Sequence, residues 1–195
     1  MRQVSLVLTL IGLTACGGFP DTADSSDPGT RDPGSDTASD SADPGTASDT
    51  AGPGDVPWVV INELMAANDT VLADPAGEYD DWLELLNPSS APFDLSGYGL
   101  TDSTSASWTF PSGTTLAPGA HLLVWCDGDL TQAGVHVDFQ LAKSGETVTL
   151  LDPAGDVADQ VAFPAQSADA AWGRFPDASE AWGSVTPTPG AANTP

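Results

Sequence analysis

Beyond residue 57 the sequence breaks into short apolar runs, each cut off within about ten residues by Gly, Pro, Asp, Asn or Ser, and no longer window carries a helical period. A chain punctuated this often is left with strands. The clearest stretch is DWLELLNPSSAPFDLSGYGLTD, residues 81–102, which reads as two strands, Trp82 to Asn87 and Phe93 to Thr101, either side of a Pro/Ser turn. The same rhythm predicts strands over 58–64, 107–111, 120–127, 137–142, 146–152, 157–163 and 171–175. From Thr147 to Leu150 the alternation puts Val148 and Leu150 on one face and the threonines on the other. Asp152-Pro-Ala-Gly155 then turns the chain into the next strand. Many short strands at such spacing predict an all-β domain, a sandwich or barrel of Greek-key type, over residues 58–195.

The chain before it is of another kind. Arg2 precedes an apolar run from Val4 to Leu13, too short to cross a bilayer as a helix and suited to an export signal. Leu13-Thr14-Ala15-Cys16 closes the run and resembles a bacterial lipobox at all four positions. That resemblance implies cleavage before Cys16 and acylation of its thiol, the nucleophilic group in the leader. Two or more acyl chains hold a protein on a membrane durably, where one does not. Gly17, where no Asp stands, implies sorting to the outer membrane by the enterobacterial pattern. From 17 to 57 nearly every residue is Asp, Ser, Thr, Ala, Gly or Pro, with Asp-Pro-Gly at 27, 32 and 43 and Thr-Ala-Ser-Asp at 37 and 46. Such a segment has almost nothing to bury and reads as a disordered tether. As a flexible coil it would span about 35 Å on average. The expected location is therefore the outer membrane or cell surface, lipid-anchored.

Charge narrows the partners. The chain holds 28 acidic residues against 4 Lys and Arg, for a net of −24. In 58–195 the only bases are Lys143 and Arg174. A domain this acidic repels phosphate backbones, so no nucleic-acid partner is expected. Divalent cations, basic proteins and neutral glycans remain open.

Candidate chemistry centres on NDTVLADPAGEYDD, where Asn68, Asp69, Asp74, Glu78, Asp80 and Asp81 crowd beside one turn. Asp74, Glu78, Asp80 and Asp81 are the expected ligands of a Ca²⁺ ion, which takes six to eight hard oxygens. A merely solvated acidic loop is the plain alternative. Arg174 is expected to stack on Trp172 or Phe175 while pairing with a carboxylate. His121 and His136 have no Cys or Glu at ligand spacing, which argues against zinc. With Cys16 acylated, Cys126 has no disulfide partner and is expected to be a buried, inert thiol. No Gly-x-Ser-x-Gly, phosphate loop or His-Glu-x-x-His occurs, and Lys143-Ser144 is a weak nucleophile signal, so no catalytic residue is assigned. Trp82, Trp108, Trp125, Trp172 and Trp182 are read mainly as core. The closing PTPGAAN, 187–193, is expected to cap a sheet edge.

Several segments carry a specific resemblance: INELMAAN (61–68), DWLELLNPSSAPFDLSGYGLTDS (81–103), WTFPSGTTLAPGAHLLVW (108–125), FQLAKSGETVTLLDPAGDVAD (139–159), WGRFPD (172–177) and PTPGAAN (187–193). In order and content they resemble a bacterial lamin-tail domain. The resemblance implies an immunoglobulin-like β-sandwich. The basic surface of nucleic-acid-contacting versions is absent, as is any enzymatic neighbour. The reading is a surface-tethered, non-catalytic binding or structural module with a protein or glycan partner. The alternatives are a metal-dependent hydrolase using residues 68–81, or a domain that calcium only stabilises.

Overall fold

Val148 and Leu150 are fully buried, and on the opposite face the exposed side chain of Gln160 donates to Thr149 Oγ1 at 2.8 Å. This alternation is the building rule of the computed structural model, which describes residues 58–195. Cys16, the leader and the tether lie outside the described residues. The described chain forms twelve strands: β1 (Val60–Met65), β2 (Trp82–Leu86), β3 (Phe93–Asp94), β4 (Gly99–Thr101), β5 (Trp108–Thr109), β6 (Thr115–Leu116), β7 (His121–Cys126), β8 (His136–Val137), β9 (Gly145–Leu151), β10 (Val157–Pro164), β11 (Ala171–Arg174) and β12 (Trp182–Val185). They make a six-stranded sheet in the order β12-β11-β1-β2-β7-β8, a four-stranded sheet β10-β9-β4-β5 and a small pair β3-β6. Neighbours are antiparallel except β7 and β8. The fold is an immunoglobulin-like β-sandwich, as the resemblance implies.

The two larger sheets share one core. Ile61, Leu64, Leu83, Leu85, Val124 and Cys126 from the first meet Leu100, Val148, Leu150, Val161 and Phe163 from the second. Burying a large apolar side chain stabilises by about 1.5–3 kcal/mol, so this layer dominates the cohesion. A second cluster of Met65, Trp82, Trp125, Ala171 and Val185 packs apart from that core. Trp82 and Trp125 stand opposite each other on β2 and β7, in register with the residues that alternate away from the main core. Trp108, Trp172 and Trp182 lean on the main core from partly exposed positions.

Three expectations need correction. The strand expected over 93–101 is two, because Tyr98 N donates back to Leu95 O and Gly97 adopts φ 79°, a left-handed conformation that glycine takes without strain. The stretch 137–142 keeps only Val137 in a strand, although Phe139 and Leu141 are buried. The C-terminal segment does not cap an edge. It runs back to the two central strands, where Thr188 bonds Glu63 of β1 and Gly190 N bonds Glu84 of β2.

Candidate functional site

Two turns of identical sequence, Asp74-Pro-Ala-Gly77 and Asp152-Pro-Ala-Gly155, fold identically. In each, the first Asp N–H donates to the carbonyl four residues on, the Gly N–H returns to the Asp carbonyl, and Asp Oδ1 accepts two backbone N–H groups. The glycines stand at φ 91° and 90°. Their settings differ. Around Asp152 every residue from Pro153 to Val157 is exposed, whereas Asp74 is buried, 5% exposed, and its Oδ2 receives no hydrogen bond.

Asp74 sits where two loops meet. In the first, residues 66–81, Asn68 acts as the scaffold: its Nδ2 donates to Leu72 O and Asp80 O at 2.6 and 2.8 Å, and its Oδ1 accepts from Val71 N and Leu72 N. Asp169 anchors the outside of this loop by accepting from Asp69 N, Thr70 N and Thr70 Oγ1. The second loop leaves β7 at Asp127 and returns at His136. Gln132 Nε2 donates to Glu78 Oε2 at 2.7 Å and so ties the loops together.

One oxygen each from Asp74, Glu78 and Asp80 falls within 4.8 Å of the others, and so do ligand atoms of Asp74, Asp127 and His136. Three of the four expected calcium ligands are thus brought together. Asp81 is in neither group. Its carboxylate accepts from Asn68 N at 3.3 Å and is pushed up to about 6, chiefly by burial. Asp80 is also raised, first by burial and then by the charges of Asp127, Asp74 and Glu78, with His136 opposing.

Asp127 and His136 were not foreseen as site residues, yet the fold sets both beside Asp74. The neighbours of His136 come from distant positions that linear spacing does not reveal. β8 lies parallel to β7, with Trp125 opposite His136, and the two rings stack at 6.4 Å. His136 Nδ1 meets Asp127 Oδ2 at 2.7 Å and its Nε2 meets Ala133 O at 3.2 Å.

His136 and Gln132 also line a groove of about 340 Å³, together with Trp108, Phe110, Leu130 and Thr114. Trp108 and Phe110 meet edge to face at 4.8 Å, and Leu130 is 53% exposed. The groove thus mixes aromatic and aliphatic surface with hydroxyl and amide groups.

Elsewhere, Cys126 is 1% exposed, and burial pushes its thiol well above the usual range, as fits an inert side chain. Lys143 and Ser144 are both exposed in a turn. His121 Nδ1 pairs with Glu84 at 2.5 Å. Arg174 pairs with Asp159 at 2.8 and 3.1 Å, as expected in kind, but its guanidinium lies over Trp182 at 4.8 Å, not over Trp172 or Phe175. Arg174 and Trp182 are opposite each other in the β11–β12 register and share a face.

Comparison with known families matches residues 54–165 to the model described as Lamin Tail Domain. No curated protein matches the chain. The matched range ends before β11, yet β11 pairs directly with β1, so strands past the match complete the six-stranded sheet.

Proposed function

Since the chain belongs to the lamin tail domain family, we propose that it is a non-catalytic binding module of the bacterial envelope, held by lipid on Cys16 and presented on the tether 17–57 to a neutral glycan. The observation that carries the glycan reading is the groove beside β5. Trp108 offers a flat ring for the C–H face of a sugar, while Thr109 and Thr114 supply hydroxyl groups for its oxygens. The net charge of −24 disfavours polyanions and is compatible with an uncharged glycan. The lipobox-like tetrad and the acidic, Pro-rich tether support the anchored location.

The test is retention of the full chain on immobilised neutral envelope polysaccharide. Trp108→Ala and Leu130→Asp should each weaken retention, with melting curves checking that the fold survives. Equal retention by wild type and both folded variants would sink the groove as the site, and capture of a protein in place of glycan would reassign the partner. Release of new reducing ends would overturn the non-catalytic reading. For location, Cys16→Ser should move the protein from the membrane to the soluble fraction.

A further inference from the structure

Among the described residues, the buried side-chain oxygens that no donor reaches are Asp74 Oδ2, Asp80 Oδ2 and Gln132 Oε1. All three belong to the junction of loops 66–81 and 127–136, where Gln132 contacts Glu78. A buried oxygen without a partner is costly, and native proteins satisfy such atoms with a donor, a water or an ion. Several such oxygens in one place, beside carboxylates, call for a cation more than for scattered donors.

The twin turns show that the orphan on Asp74 is not a by-product of its turn. Asp152 builds the same turn through Oδ1 alone, on the surface. Asp74 spends Oδ1 in the same way, and its Oδ2 remains, buried and unpartnered.

The chemistry of the donors selects the ion. Two oxygens bound to one Ca²⁺ can stand no more than about 5 Å apart, twice a metal–oxygen distance of 2.3–2.6 Å. The oxygens of Asp74, Glu78 and Asp80 meet that limit, lying within 4.8 Å of one another. The rival group, Asp74 with Asp127 and His136, brings a nitrogen and would suit zinc. Its members are already engaged: Asp127 Oδ1 accepts from Asp129 N, Asp127 Oδ2 meets His136 Nδ1, and His136 Nε2 meets Ala133 O.

We propose that a divalent cation of the calcium class binds Asp74, Glu78 and Asp80, with Gln132 Oε1 as a further oxygen ligand, and clasps the two loops together. The His136–Asp127 pair flanks the ion and is not a ligand. The clasp does not depend on the groove holding a glycan, since the metal alone reads it out.

The experiment is calorimetric titration of the purified full chain with CaCl₂, MgCl₂ and ZnCl₂, paired with melting in calcium and in chelator. Wild type should bind one strong equivalent of calcium, distinct from weak binding by the acidic tether, and melt higher in calcium. Asp74→Asn keeps an Oδ1 acceptor for the turn and should abolish strong binding. Asp80→Asn should do the same if the first variant misfolds. Asp152→Asn, at the twin turn, should bind as wild type does. Identical melts with calcium and chelator and no strong equivalent would overturn the proposal. So would strong binding that survives in both folded site variants, or strong binding of zinc without calcium.

Discussion

Glu63 of β1 and Glu84 of β2 stand opposite each other in register, and neither has any exposed surface. Like charges directly across a strand pair repel, and burial makes the repulsion worse. The C-terminal segment resolves the conflict. Thr188 offers its N–H to Glu63 Oε1 and its hydroxyl lies 3.0 Å from Oε2, while Gly190 N–H and His121 serve Glu84. Burial pushes Glu63 up to about 7, against the lowering effect of the Thr188 bonds and helped by Glu84 and Asp177. A protonated Glu63 can donate to Thr188 Oγ1, which then donates to Asn193 Oδ1 at 3.0 Å. Glu84 is raised as well, again by burial first.

This pair sets a pH dependence. A carboxyl raised from 4.5 to about 7 on folding contributes stability that is complete below 4.5 and lost as pH rises through 7. The domain should therefore be more stable at pH 5 than at pH 8, with Glu63 contributing up to about 3 kcal/mol of the difference. Glu63→Gln keeps the shape and should flatten the profile across that window. Urea melts of both proteins at several pH values check it, and parallel profiles would remove Glu63 as the source.

Arg174 joins the two sheets. Its Nη2 grips both oxygens of Asp159 on β10, its Nε donates to Ile61 O on β1 at 2.8 Å, and its Nη1 donates to Ser179 O. Asp159 Oδ2 in turn accepts from Ile61 N at 2.7 Å. Arg174 is 4% exposed, so removing it leaves a carboxylate with little water. Arg174→Ala should cost about 3–5 kcal/mol. Arg174→Lys should recover only part, because one ammonium cannot reproduce the planar fork or its stacking on Trp182. Denaturant midpoints for the two variants and for Asp159→Asn test this, and a lysine variant as stable as wild type would contradict it.

The sandwich was legible where information is local: alternation in β9, and turn residues such as Asp152 to Gly155 between β9 and β10. Reading failed where alternation continues through a bend, as across Leu95 to Tyr98. It also failed where a strand as short as β12 is held mainly by its partner β11. The same divide runs through the site. Asp74, Glu78 and Asp80 were found because one loop carries them. Asp127 and His136 were missed because they reach Asp74 only through the pairing of β2, β7 and β8. Asp81 falls outside the cluster that its neighbour Asp80 joins, a distinction that counting acids along the chain cannot register.

Gly173 is required by close approach. A Cβ there would stand 2.7 Å from Asn193 Nδ2 and 2.9 Å from Val185 Cγ2. Asn193 Nδ2 donates to Asn62 O and Arg174 O, bonds that hold the C-terminal segment on β1 and β11. Gly173→Ala should push that amide away and cost about 1–3 kcal/mol. Hydrogen exchange should rise first at the N–H groups of Thr188 and Gly190, which face Glu63 and Glu84. Unchanged protection there would mean that the segment is held without Asn193.

Asn68 separates the effect of loop shape from that of charge. Its amide nitrogen satisfies two carbonyls, Leu72 O and Asp80 O, and it is 3% exposed. Asn68→Asp keeps the size and the Oδ1 acceptor but turns both donated bonds into oxygen facing oxygen, a loss of about 1–3 kcal/mol for each unsatisfied group. Asn68→Ala removes the two donated bonds and also the two that Oδ1 accepts from Val71 N and Leu72 N, but adds no charge beside Asp80 and Asp81, and should be the milder change at neutral pH. Acid should reverse the order: a protonated carboxyl at 68 regains one donor, so the deficit of Asn68→Asp should shrink as pH falls while that of Asn68→Ala stays level. Chemical denaturation of both variants between pH 4 and pH 8 decides it, and equal deficits across the range would show that the two carbonyls do not depend on the Asn68 amide.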